Sequence, residues 1–145
     1  MRRLLDVNVL IALMDARHPA HGVVHTWVAQ HGGGLALCPL VENGAVRIMS
    51  QAAYAQGEAQ LTPAFVMRML GAYKARAPDC VFWGEGPSLC DAGVFDATKI
   101  HSPRQITDVY LLATALTHGG GLVTLDHNIP LAAVRGADRV HLLTL

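Results

Sequence analysis

Short apolar runs and amphipathic stretches alternate along this chain, and their two periods mark out strands and helices. Leu4-Leu5 reads as a first strand, closed by Asp6, and Val9–Met14 continues as a helix behind the polar pair Asp6 and Asn8. From His21 to Gln30, Val23, Val24, Trp27 and Val28 recur at helical spacing. Gly32-Gly33-Gly34 breaks the chain, and Leu35–Cys38 reads as a buried strand. Pro39 suits a first helical position, with Val41, Ala45, Val46 and Met49 behind it. Thr62-Pro63 opens another helix through Phe65, Val66, Met69 and Leu70 to Ala75, and Val81-Phe82-Trp83 is a third strand. Gly84 to Arg104, with two prolines and scattered polar groups, reads as loop with room for one short helix. Thr107 is placed to cap a helix running to His118, which Gly119-Gly120-Gly121 ends. Leu122–Leu125 and Val140–Leu143 complete the strands.

Alternation of this kind predicts an α/β fold with a mostly parallel sheet of about five strands and right-handed crossovers. The functional crevice of such a sheet lies beyond the carboxyl ends of its strands. Asp6 and Asp126 each follow a strand, while Glu42 and Asp108 each fall in the first turn of a helix. The pattern therefore sends all four carboxylates to one edge, at the mouths of apolar segments where an unpaired charge is costly.

One carboxylate so placed has an ordinary explanation. Asp108 and Glu42 could serve a helix dipole, and Asp6 and Asp126 could be strand-end turn residues. Four together point to a cation. Clustered carboxylates repel and raise one another's pKa values. Oxygen-only ligands suit a hard divalent ion such as Mg²⁺ or Mn²⁺, which activates water toward a phosphodiester. Asn8 and Thr124 flank the set with neutral hydrogen-bonding groups able to orient the carboxylates.

Composition narrows the picture further. At 145 residues the chain fits one domain spanning 1–145, without repeat or linker. It is 52% apolar and 15% charged, which excludes disorder and leaves apolar surface over, a hint of dimerisation. No apolar run approaches the roughly 18–20 residues that cross a bilayer. Arg2-Arg3 is followed by no small-residue cleavage site, so a cytoplasmic protein is expected. The three cysteines, Cys38, Cys80 and Cys90, lack CxxC spacing and read as free thiols, the first two buried. Net charge is zero, so any nucleic-acid partner must be held by local charge and by metal. Arg104, before Asp108, and Arg47 are the candidate phosphate contacts. His18, His21 and His25 have stripe-like spacing but no partner to complete a zinc set, and read as a solvated face.

Four blocks carry a resemblance: Leu4-Leu5-Asp6-Val7-Asn8-Val9-Leu10-Ile11, Cys38 to Ile48 with Glu42-Asn43-Gly44 inside it, Thr107-Asp108-Val109-Tyr110-Leu111-Leu112-Ala113, and Thr124-Leu125-Asp126. In this order they resemble the PIN domains, and more narrowly the VapC-type toxin ribonucleases. The resemblance implies a three-layer α/β/α fold and a Mg²⁺- or Mn²⁺-dependent endoribonuclease whose acidic positions are Asp6, Glu42, Asp108 and Asp126. It also implies a homodimer and a small VapB-like antitoxin whose C-terminal part lies across the active site, with transfer, ribosomal and messenger RNA all open as the substrate.

Two other readings compete. A non-catalytic RNA-binding or antitoxin-docking module would be under no need to keep four carboxylates. A phosphotransferase of the haloacid dehalogenase type would need an aspartate two residues after its nucleophile, where this chain has Asn8.

Overall fold

The computed structural model describes residues 1–31 and 33–145. Five short strands, β1 Arg3–Leu5, β2 Leu35–Leu37, β3 Cys80–Phe82, β4 Gly121–Thr124 and β5 Leu142–Thr144, form one sheet. Its order is β3-β2-β1-β4-β5, and every pairing is parallel. Parallel strands need crossovers, and these are supplied by α1 Val7–Met14, α2 His21–Gln30, α3 Pro39–Met49, α4 Ala52–Ala55, α5 Pro63–Arg76 and α6 Ile106–Thr117. The chain winds outward from β1 to β3, then returns across the sheet to β4 and β5. Right-handed crossovers in opposite directions put their helices on opposite faces. Helices α1, α2, α3 and α5 accordingly pack together, while α6 packs against β1 and β4, giving three layers.

Burial on both faces explains the sequence of the inner strands. Leu4, Leu5, Ala36, Leu37, Leu122 and Val123 are all fully buried, with no polar alternation. Helix α1 is enclosed on nearly every side, and Val9, Leu10, Ile11 and Ala12 are inaccessible to solvent. Its tight seat against α3 requires Gly44: a Cβ there would fall 2.8 Å from Val7 Cγ2. Gly44→Ala should therefore destabilise the fold by about 1 kcal/mol, crowding at Val7 outweighing alanine's better helix propensity. Urea unfolding checks this, with the midpoint expected to fall at unchanged slope.

Several boundaries differ from the sequence reading. Thr107 does not cap α6. Pro103–Gln105 form a 3₁₀ turn, capped by Ser102, that runs directly into the helix and places Thr107 inside its first turn. Val140 belongs to a 3₁₀ turn capped by Asp138, so β5 starts at Leu142. The stretch from Gly84 to Arg104 holds two short 3₁₀ turns rather than one helix, the Ala97–Lys99 turn and the start of the Pro103–Gln105 turn. Helix α4 was not anticipated. Cys38 is buried as expected, but Cys80 is only half-buried.

The two histidines of α2 also bond back to α1, although His25 is exposed and His21 half-buried. His21 Nδ1 donates to the Ala12 carbonyl at 2.7 Å and His25 Nε2 to the Leu13 carbonyl at 3.3 Å, satisfying acceptors that the last turn of α1 leaves open. Gly32, read as part of a glycine break, lies outside the described residues. Among the described residues no helix is long and apolar enough to cross a membrane.

Candidate active site

β1 and β4 are the neighbours between which the winding direction reverses, and their carboxyl ends frame the crevice that such a reversal opens. Asp6 leaves β1 there. Its amide donates to the Val123 carbonyl, extending the strand pairing by one residue. Asp6 is buried, with only 4% of the residue's surface accessible. The Thr124 hydroxyl, at the end of β4, donates to Asp6 Oδ2 at 2.7 Å and accepts from the Asp126 amide at 3.0 Å. One hydroxyl thus ties the two strand ends together and sets both aspartates. Asp126 is exposed, and its carboxylate accepts from the Asn128 amide at 2.7 Å in a short turn.

Asp108 enters from the opposite layer, in the first turn of α6. Burial pushes its carboxyl up to about 6, and the charges of Asp6 and Asp126 push the same way. Burial likewise raises Asp6, against the Thr124 hydroxyl and the amides of Val7 and Asn8, which favour the anion; Asp126 adds a smaller upward push. Among the described residues no lysine, arginine or histidine pairs with Asp6, Asp108 or Asp126. Asp6 and Asp108 are therefore partly desolvated within reach of the Asp126 charge, with no ion pair to offset it among the described residues.

Glu42 does not join them. Its carboxylate pairs with Lys74 of α5 at 2.6 Å, and the Lys74 ammonium also sits over the Phe82 ring. The reason is the rotation of α3. Val41, Ala45 and Met49 are driven into the core, and each residue turns the helix by about 100°. That rotation brings Asn43, Gly44 and Arg47 to the crevice and aims Glu42 at α5. Of the four carboxylates expected at one edge, Asp6 and Asp108 line the crevice with the Asn43 amide of α3, and Asp126 lies outside that lining, near enough for its charge to raise both.

The crevice proper encloses about 200 Å³ and is lined by Asp6, Asn8, Asn43, Arg47, Thr107 and Asp108, among others. Asn8, a candidate for orienting the carboxylates, and Arg47, a candidate phosphate contact, are both on this lining. Arg104 is exposed in the turn before α6 and does not line the crevice. Asn43 and Thr107 escaped the sequence reading as site residues. The signal was present, since Asn43 and Arg47 share a helical face with Gly44, the residue whose missing side chain lets α3 approach α1.

The donor set fits a hard divalent cation. Asp6 and Asp108 present carboxylate oxygens beside the Asn8 and Asn43 amides, Arg47 is the one cation on that lining among the described residues, and burial is the main cause that raises both carboxyls. Among the described residues no three His, Cys, Asp or Glu side chains stand close enough to enclose an ion alone. Mg²⁺ meets that condition readily, because it keeps several waters and binds through one or two carboxylates.

No family model matches the chain. Its relatives are more telling. It is 42% identical to Ribonuclease VapC44 of Mycobacterium tuberculosis over the whole of both chains. It is 36% identical to Ribonuclease VapC39 of the same organism, covering 97% of this chain and 99% of that one. This chain belongs to the VapC ribonuclease family. A third relative, Ribonuclease VapC38 of M. tuberculosis, is 33% identical with 98% of each chain covered. The VapC likeness thus runs from β1 to β5, across the whole three-layer fold.

Proposed function

We propose that this VapC-family chain is a divalent-metal-dependent endoribonuclease, the toxin of a toxin–antitoxin pair, and that it hydrolyses RNA phosphodiesters at the Asp6, Asp108 and Asp126 crevice. The observation that carries this reading is the set of aspartates after β1, after β4 and in the first turn of α6, none of them in an ion pair among the described residues. A Mg²⁺ or Mn²⁺ ion held there supplies an activated water and neutralises charge developing on the phosphate. The chain's own residues do the rest. The Thr124 hydroxyl holds the Asp6 carboxylate in place by donating to it and anchors the Asp126 turn by accepting from its amide. Asn8 and Asn43 offer neutral donors and acceptors at the rim, and Arg47 offers a cation for a flanking phosphate. Arg104, on the approach to α6, is the second candidate for the RNA backbone.

Glu42 would have to release Lys74 to add a fourth carboxylate. The names of the relatives support a VapB-like antitoxin as the partner. Exposed apolar side chains such as Met67, Leu89 and Val140 offer surface for it or for a second copy of the chain.

The test is digestion of total RNA by the purified protein, stripped of any antitoxin, with Mg²⁺, Mn²⁺ or EDTA. Discrete fragments that require the metal are expected. A folded protein that cuts no RNA with either ion would leave a non-catalytic binding module as the reading.

A further inference from the structure

Beside the acidic crevice lies a second, larger cavity of about 670 Å³ whose contents the proposed chemistry does not use. Leu40, Asn43 and Thr107 line both, so the two spaces share one wall. Its far side is aromatic, from Trp83 and Tyr110, and its size falls within the range of sites for small organic ligands.

The walls are fixed in place. Trp83 stacks on His118 with ring centroids 4.6 Å apart and planes 5° from parallel. His118 Nε2 donates to the Glu85 carbonyl at 2.9 Å, which holds the Gly84–Gly86 loop over α6. Gly86 lets that loop descend fully, since a Cβ there would lie 2.5 Å from Tyr110 Oη and 2.9 Å from Thr114 Oγ1. A preformed cavity loses less entropy on binding than one that must be ordered.

Charge decides between occupants. No lysine, arginine or histidine lines the cavity among the described residues, and Glu85 is its one charged group. A phosphate or an acidic peptide would be repelled. A flat, neutral heterocycle with hydrogen-bonding edges fits: Trp83, Tyr110, Leu40 and Ile106 offer apolar contact, and Asn43, Thr107 and Glu85 offer partners for its edge.

We infer that this cavity receives one unpaired nucleobase of the RNA strand being cut, next to the scissile phosphate, and that Asn43 reads its edge. The inference rests on the ribonuclease reading for the identity of the strand. It makes Asn43 a specificity-determining residue.

Four oligoribonucleotides spanning a mapped cut, differing only in the base beside the scissile bond, test this in the wild type and in Asn43→Ala. Asn43 is exposed, so the variant is expected to fold. The wild type should spread over at least about tenfold in kcat/KM across the four, because a site that hydrogen-bonds its ligand rejects one lacking the group. Asn43→Ala should compress that spread to within about threefold while keeping the metal requirement. An undiminished spread in Asn43→Ala overturns the inference. So does a variant whose base preference survives while its grip on a co-expressed antitoxin is lost, which would make the cavity a protein-binding groove. A parallel titration of metal-free protein with the four ribonucleosides, followed by the Trp83 indole signal in NMR, separates the two claims. Trp83 shifts in a protein that cuts no RNA would sustain the base cavity and sink the nuclease. Cleavage without Trp83 shifts from any nucleoside would sink the cavity alone.

Discussion

Asp108→Asn should abolish RNA cleavage and at the same time make the metal-free protein more stable. Both effects have one cause. The folded carboxyl titrates at about 6 against its ordinary 3.8, so the folded state holds the proton more tightly than the unfolded chain. Stability therefore falls as pH rises through that window and stays lower at neutral pH, where the group is charged and crowded by Asp6 and Asp126. Asparagine has no proton to lose, and the variant lacks this slope. The expected gain at pH 7 is about 1 kcal/mol, discounted for the water that still reaches the half-buried group, or roughly 2–4 °C in Tm. Thermal melts from pH 4 to pH 7 in EDTA, set beside cleavage assays, check both halves. A variant that loses stability at pH 7 would show Asp108 to be a structural helix-start residue.

Asp6→Asn carries the second large effect. Asp6 is the most deeply buried of the three acids, and the Thr124 hydroxyl and two backbone amides are spent on its anion. Asparagine keeps the shape, and the Thr124 hydroxyl can rotate to accept from or donate to the new amide. The fold should survive. What is lost is the central negative ligand between β1 and β4, worth several kilocalories per mole of transition-state stabilisation, on the order of 10³-fold in rate. A circular dichroism spectrum and melt matching the wild type, with cleavage reduced to that extent, is the expected result. Activity within about tenfold would remove Asp6 from the centre of the site.

Much of this was legible in the chain before its structure, because strong local signals agreed with the final packing. The apolar runs at Leu4-Leu5 and Leu35–Leu37 became inner strands, and His21–Gln30 forms a helix with the limits its periodicity sets. Pro39 opens α3, and Thr62 caps α5 by accepting from the Phe65 amide. What failed to show depends on three-dimensional competition. Thr107 is a good capping residue, but Pro103 had already started the turn three residues upstream of Ile106, and the earlier nucleus took the helix start. Val140 has strand propensity, yet the Asp138 cap draws it into a turn.

The site divides in the same way. Residues at strand ends are located by the sheet itself, so Asp6, Thr124 and Asp126 could be placed from sequence pattern. Asp108 is located by the crossover that carries α6 back over β1. Glu42 differs because a helical side chain points where the helix is rotated, and α3 is rotated by Val41, Ala45 and Met49 meeting α1 and α5. Nothing local in the chain specifies that angle. The pairing with Lys74 and the arrival of Asn43 at the crevice are therefore tertiary facts.

The account stands most directly on the chemistry of the cut ends. Water attacking the phosphorus at a divalent-metal centre leaves a 5′-phosphate and a 3′-hydroxyl, whereas attack by the neighbouring ribose 2′-hydroxyl needs no metal and leaves a 2′,3′-cyclic phosphate. End-group analysis of RNA fragments made by the wild-type protein, with Mg²⁺ and again with EDTA, distinguishes them. The account requires 5′-phosphate and 3′-hydroxyl ends that vanish with the metal. Cyclic phosphate ends formed equally well in EDTA would contradict it.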